Sequence, residues 1–248
     1  MVGLGPGDER LLPPMAREAI ESARTIVGYG PYIDMVPPEL LQDKTVVSTG
    51  MTREVDRCRR AVAAALSGSP TAVVCSGDPG VYAMAGLVLE LLETMDPQGL
   101  IEPEIIPGIP ALTAAAAILG GPLTHDFASV SLSDLLTPWD LIEKRIECAA
   151  QGDFVLAIYN PRSKKRDWQL ARARDILLKT KSPDTPVGLV RQAWRSGGEC
   201  KIMTLQGLDP AMADMLSILI IGNSRTRIIN NRLVTPRGYF DKYPAPGP

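Results

Sequence analysis

Short runs of β-branched and apolar residues alternate along this chain with longer stretches in which apolar positions recur every three or four residues. The first kind predicts strands and the second amphipathic helices. In the first half, strands are expected at residues 2–4, 25–27, 45–48, 72–75 and 104–106, with helices at 14–23, 52–66, 81–93 and 111–119. Pro13 and Pro14 suit the first turn of their helix, where a missing N–H costs nothing. The helix from Thr52 presents Val55, Cys58, Val62 and Leu66 on one face, and Gly68 stops it. The second half offers strands at 127–132, 154–159, 187–190, 200–204 and 217–221, with helices at 139–150, 167–180 and 210–215. This alternation predicts an α/β protein with a mainly parallel sheet in its N-terminal lobe. The strands flanking Gly197-Gly198 read as a hairpin, so the C-terminal sheet is expected to be mixed, each sheet being flanked by helices. Gly120-Gly121-Pro122-Leu123 is the expected linker, which puts the N-terminal lobe at 1–121, the C-terminal lobe at 122–240 and a disordered tail at 241–248. The opening strand is so short that a few residues are expected to precede Met1.

Composition narrows the function classes. A chain of 248 residues, 45% apolar and 22% charged, can bury a core in one large domain or two small ones. A formal charge of −2 and only 5% aromatic residues argue against a nucleic-acid surface built on net basicity and stacking rings. No apolar run approaches the roughly 18 residues of a membrane span, and a cytoplasmic protein is expected. The cysteines, Cys58, Cys75, Cys148 and Cys200, include no CxxC pair, and there is one histidine, so no zinc or iron–sulfur site is expected. The thiols read as reduced and buried.

Gly3-Leu4-Gly5-Pro6-Gly7-Asp8 follows a strand, as a dinucleotide-binding loop would, but its spacing is GxGxG rather than GxGxxG. Pro6 removes a backbone donor, Asp8 would repel phosphate, and the next strand ends in Gly28-Tyr29-Gly30 with no carboxylate for a ribose. Taken alone, the loop is a tight βα turn with Asp8 near a helix N-terminus.

Read together, several motifs point elsewhere. The first glycine loop, Ser76-Gly77-Asp78-Pro79-Gly80-Val81-Tyr82, Pro107-Gly108-Ile109-Pro110-Ala111 and Pro122-Leu123-Thr124-His125 occur in the order that resembles the tetrapyrrole methylases, the class III S-adenosylmethionine-dependent methyltransferases. Gly28-Tyr29-Gly30-Pro31-Tyr32, the stretch from Ser131 to Trp139, and the stretch from Tyr159 to Arg166 resemble the branch that methylates C(17) of precorrin-3B or cobalt-factor III. Each motif is weak alone, and the set spans the chain to about Gly238. The resemblance implies a two-lobed tetrapyrrole methylase fold, an active cleft between the lobes, a homodimer, and methylation of the corrin ring coupled to its contraction in cobalamin biosynthesis. Another precorrin methyltransferase, acting at a different ring carbon, is the alternative. A branch that modifies ribosomal RNA, a silent tetrapyrrole-binding protein and a nicotinamide-dependent reductase fit less well.

Matched position by position, the resemblance assigns S-adenosylmethionine to Pro6, Gly77, Asp78, Val81, Pro110, Ala111, Asn160 and Ala193. Asn160 stands where relatives that methylate uroporphyrinogen carry methionine, a change that a backbone contact survives. On spacing alone, Asp78 equally suits a cap for the helix after Pro79. The substrate is fringed with acetates and propionates, which guanidinium forks pair well. Arg162 is the preferred anchor, since Asn160-Pro161 fixes the chain as it leaves a strand, and Ser131 and Arg53 join it as substrate candidates. Arg53, Arg57 and Arg60 share a helix face that also reads as plainly solvated. Trp139 reads as core. Asp8 and His125 are the acid–base candidates by chemical type, although a lone histidine more often has a structural hydrogen bond. No protein-bound metal is expected.

Overall fold

The computed structural model describes residues 1–243. The chain divides into two compact units, Met1–Ala111 and a second that begins at Leu112.

The first unit runs β1 (Val2–Gly3), α1 (Pro14–Ser22), β2 (Thr25–Tyr29), α2 (Gly30–Ile33), β3 (Thr45–Thr49), α3 (Glu54–Leu66), β4 (Thr71–Cys75) and α4 (Ala85–Met95). Its sheet has the order β1-β4-β2-β3, and every pairing is parallel. Parallel strands must bury both faces, and alternation along β2 and β4 does this. Ile26, Ala72 and Val74 pack with Ala16 and Ile20 of α1, whereas Val27, Val73 and Cys75 pack with Cys58 and Val62 of α3 and Val88 of α4. On α3 the buried residues are Arg57, Cys58, Ala61 and Val62, while Val55 and Leu66 are exposed. Cys58 and Val62 of the expected face are in the seam, where the small Ala61 lets the helix approach the sheet, and Val55 and Leu66 at its ends are not.

The second unit comprises α5 (Ala111–Leu119, whose first residue belongs to the first unit), β5 (Gly120–Gly121), β6 (Phe127–Ser131), α6 (Trp139–Gln151), β7 (Val155–Tyr159), α7 (Gln169–Leu177), β8 (Pro186–Arg191), β9 (Glu199–Thr204), β10 (Ser217–Ile221), β11 (Arg227–Ile229), β12 (Arg232–Val234) and α8 (Tyr239–Lys242). Its main sheet is mixed, with the order β6-β7-β10-β8-β9; β6 and β7 are parallel and the other pairs antiparallel. The expected hairpin around Gly197-Gly198 joins β8 to β9. Leu156, Ile158, Val187, Leu189, Leu219 and Ile221 pack one face against α6 and α7. On the other face α5 comes so close that a Cβ on Gly188 would lie 2.4 Å from a methyl of Leu119.

Several expectations change. The glycines taken as a linker form β5, which pairs with β12 in a three-stranded sheet of order β11-β12-β5. Residues 104–106 reduce to an isolated bridge between Val2 and Ile106, because Pro103 and Pro107 bracket too short a run to pair further. Residues 210–215 hold only a 3₁₀ turn, Pro210–Met212, started by the Asp209 carboxylate on the Ala211 amide. Of the expected tail, Asp241 and Lys242 finish α8, and 244–248 lie outside the described residues. Cys58 and Cys75 are buried as expected, with burial pushing their thiols up to about 11 and about 12, but Cys148 and Cys200 are exposed. Cys148 ends a helix face turned to solvent, and Cys200 sits on the edge strand β9. Among the described residues, no helix is long and apolar enough to cross a membrane.

Candidate active site

Because β1 and β4 run parallel and adjacent, the loops leaving them emerge at the same end of the first sheet, where open α/β sheets gather ligands. Gly5 and Gly77 exchange two backbone hydrogen bonds there, Gly5 N–H to Gly77 O at 3.1 Å and Gly77 N–H to Gly5 O at 2.7 Å. The 107–111 segment closes against both. A Cβ on Gly108 would stand 2.0 Å from the Gly77 carbonyl oxygen, and one on Gly3 would stand 2.6 Å from the Gly108 nitrogen. Gly3 and Gly108 are therefore required by the close packing of these backbones against one another. Gly77 itself has φ +68, and its missing Cβ would lie 3.6 Å from the Pro110 α-carbon and 3.9 Å from the Ala111 nitrogen. Thus Gly77, Asp78, Pro110 and Ala111 come together, next to Gly5-Pro6, and the Val81 amide donates to the Asp78 carbonyl at 3.3 Å.

Asp78 does not cap a helix. The turn after Pro79 continues through Tyr82, with φ +51, and α4 starts only at Ala85. One carboxylate oxygen accepts the Gly80 amide at 2.7 Å and the other the Gly108 amide at 3.1 Å. Asp78 therefore clips two loops, and each oxygen keeps a lone pair for a further donor. Asp8, at the same end of the sheet, starts a 3₁₀ turn by accepting the Arg10 amide at 3.0 Å and pairs with the Arg10 guanidinium at 2.6 Å. That partner holds its carboxyl at about 2, so it is ionised at neutral pH and has no proton to donate.

The second unit gathers a comparable set where β6, β7 and β8 end and β10 begins. Asn160, with φ +50, follows β7 and donates from Nδ2 to Ser131 Oγ at 2.9 Å. Ser131 Oγ also accepts the Ser133 amide at 3.2 Å. Ala193 follows β8 between two residues of positive φ, Gln192 at 51 and Trp194 at 58. Two side chains that the motif reading left without a role fasten α5 to this end. The Tyr159 hydroxyl accepts the Leu112 amide at 3.0 Å, satisfying one of the free donors of the first turn, and the Trp194 indole N–H donates to the Ala114 carbonyl at 3.0 Å. Both ties lie within the second unit, from the residues next in sequence to Asn160 and Ala193.

The remaining candidates separate. Arg162 lies just past Asn160, partly exposed, its guanidinium making one long contact at 3.4 Å to the Ala211 carbonyl. His125 is at the opposite end: it precedes β6, six residues or roughly 20 Å along the strand from Ser131. Its Nδ1 accepts the Asp126 amide at 2.7 Å, a local structural bond. Arg53 is exposed ahead of α3, and Arg60 pairs with Asp56 on the same helix at 3.1 Å. Arg57 departs from any solvated face. It is 2% exposed, donating to Thr49 Oγ1 at 2.7 Å, the Gly50 carbonyl at 3.0 Å and Met84 Sδ at 3.2 Å, with its guanidinium 5.7 Å from the centre of the Tyr29 ring. Trp139 packs against the core and edge-to-face on Trp168, its indole N–H bound to Glu143 at 2.7 Å. Among the described residues no three His, Cys, Asp or Glu side chains are grouped to hold a metal ion.

The fold and these interlocked loops define a class. Residues 1–209 match the model of the tetrapyrrole (corrin/porphyrin) methylases, and the chain belongs to that family. It is 46% identical to the probable cobalt-factor III C(17)-methyltransferase of Salmonella typhimurium, over 96% of this chain and 98% of that protein. It is also 46% identical to the cobalt-factor III methyltransferase of Priestia megaterium, over 98% of this chain but only 45% of that longer protein. The precorrin-3B C(17)-methyltransferase of a Sinorhizobium species is 38% identical over 96% of each chain. Among solved structures, that of the methyltransferase CobJ superposes with a TM-score of 0.90 at 40% identity, covering 95% of this chain and 98% of that one.

Proposed function

We propose that this protein transfers a methyl group from S-adenosylmethionine to C(17) of a corrin-ring precursor, with contraction of the ring to precorrin-4 or cobalt-precorrin-4. The observation that carries this reading is full-length similarity to proteins named for that reaction, with the glycine motifs built into one loop cluster. Identity of 46% to the Salmonella relative against 38% to the precorrin-3B enzyme favours cobalt-factor III as the acceptor.

The residues suit such a donor. Gly77 brings bare backbone to the ligand end of the first sheet, and Asp78 offers lone pairs to ribose hydroxyls or the methionyl ammonium. Pro6, Val81, Pro110 and Ala111 belong to the same loops, and Asn160 and Ala193 are the further residues assigned to the donor. When bound, the donor supplies an electrophilic methyl on a sulfonium, so neither a metal nor a protein nucleophile is needed. The protein's part is alignment of donor and acceptor, an effect that can contribute roughly 7–11 kcal/mol. Arg162 and Ser131 are assigned to the acceptor's carboxylate fringe, with Arg53 a peripheral contact. Proton movement during contraction is assigned to Asp8 as acceptor, since His125 lies at the far end of its sheet from Ser131. The active species is expected to be a cytoplasmic homodimer, which sedimentation of the purified protein tests.

The deciding experiment incubates the protein with methyl-labelled donor and, separately, cobalt-factor III and metal-free precorrin-3B. Label at C(17) of a contracted ring is the expected result, faster with the cobalt substrate. Label at another carbon would favour the alternative of a different precorrin methyltransferase.

A further inference from the structure

A buried cation behind Asn160 has no part in the scheme above. Arg166 is only 7% exposed, and among the described residues no carboxylate lies within ion-pair distance of it. One guanidinium nitrogen, Nη2, donates to the Asn160 carbonyl at 3.0 Å and approaches Met215 Sδ at 3.5 Å, while Nε has no partner. Burial lowers the guanidinium's affinity for its proton, and Asp134 only partly offsets this. Keeping an ionised side chain dry with so few partners is costly, and an apolar residue would fill the space more favourably.

What Arg166 holds is a strained peptide. Asn160 sits in the left-handed region, which residues other than glycine rarely occupy, and its carbonyl direction follows from that conformation. The same turn is held from its other side by the Asn160–Ser131 bond. A third tie joins the 131–134 segment to α7, where the Gln169 amide donates to Asp134 at 2.9 Å; Gln169 is 2% exposed and its Oε1 is unpartnered. Two stretches far apart in sequence, 131–134 and 160–169, thus form one braced turn beyond the end of β7.

We propose that Arg166 is a positioning residue: it orients the Asn160 peptide so that this backbone can receive the methyl donor. The inference rests on the reading that Asn160 contacts the donor. Calorimetric titration with S-adenosylhomocysteine, run beside thermal melting, tests it. Arg166→Met is expected to bind about tenfold more weakly, as befits loss of one charge-assisted hydrogen bond, with its melting temperature within a few degrees of wild type. The exposed Lys165→Met is expected to bind as wild type does. A purely structural arginine would give the opposite result, with melting lowered and the dissociation constant of the folded protein unchanged, and that would overturn the proposal. If Arg166→Met does not fold, Arg166→Lys carries the test: a single donor in place of the fork is expected to weaken binding about threefold, and an unchanged constant overturns the proposal. A wild-type protein that does not bind S-adenosylhomocysteine would remove the donor assignment itself, whereas wild-type binding with an indifferent Arg166→Met removes only the role of Arg166.

Discussion

At Gly108 the space for a methyl group is already taken by the Gly77 carbonyl oxygen, 2.0 Å from where a Cβ would stand. Gly108→Ala must therefore push apart the two loops that Asp78 clips. It is expected to destabilise the protein by about 2–4 kcal/mol in chemical denaturation and to abolish S-adenosylhomocysteine binding in calorimetry. Asp8 carries a smaller expectation. A carboxylate held at about 2 by Arg10 is a weak base, so Asp8→Asn is expected to slow contraction by no more than about tenfold, below the usual range for general-base removal. Single-turnover assays with the cobalt substrate would check this, and an unchanged rate removes Asp8 from the chemistry. At this scale the sequence carried the motif glycines, because their spacing is local. It did not carry the partners of Asp78 or Arg166. Gly108 is 30 positions from Asp78, and nothing in Asn160-Pro161-Arg162 reveals that the arginine bound to the Asn160 carbonyl is the one four residues later.

Elements with strong periodicity, such as α5, α6 and β10, fall where the apolar pattern puts them. Those held by tertiary pairing do not. The β11–β12 hairpin has three-residue strands, β11 exposed and β12 burying only Leu233, and a turn, Asn230-Asn231, with φ of 48 and 57. Neither strand alternates long enough to register, yet paired asparagines at positive φ suit the tight turn whose twist matches a hairpin. Asn231→Gly is expected to raise stability by a few tenths of a kcal/mol, and Asn230→Val to lower it by about 1–2 kcal/mol, in urea denaturation. The loop before β10 is fixed differently, by Arg191 Nε on Asp214 at 2.7 Å. Burial raises the Asp214 carboxyl, but Arg191, the Ser217 hydroxyl and the Leu216 amide outweigh it and bring it below its ordinary 3.8. A depressed folded value means the contribution is complete above about pH 3.8 and is lost as pH falls through that lower value. Asp214→Asn should therefore melt below wild type at pH 6, the gap narrowing as acid is added.

Over the whole molecule, a charge of −2 and a proposed acceptor rich in carboxylates are in tension. Binding must then depend on a few local cations against a repulsive background. Raising ionic strength from about 0.05 to about 0.5 M shortens the screening length several-fold, and KM for the corrin precursor is expected to rise while that for S-adenosylmethionine moves little. Steady-state kinetics in the two buffers would decide, and equal changes would argue against cationic anchoring. The α/β class, the parallel first sheet and the mixed second sheet could all be read from the order of strands and helices. The position of the second unit's start could not, since Leu112 follows no break in composition and α5 is committed by contacts with Tyr159 and Trp194.

The order of strands in the second sheet also bears on how the protein is born. β10 is its middle member, flanked by β7 and β8, although it is the last of the five to be synthesised. While the nascent chain is still leaving the ribosome, β6 with β7 and β8 with β9 can form only as two separate ribbons, each with a naked apolar edge. Translation must pass Ile221 before the two ribbons are zipped together, so a stalled or truncated chain ending earlier would be a substrate for chaperones rather than a working half-protein.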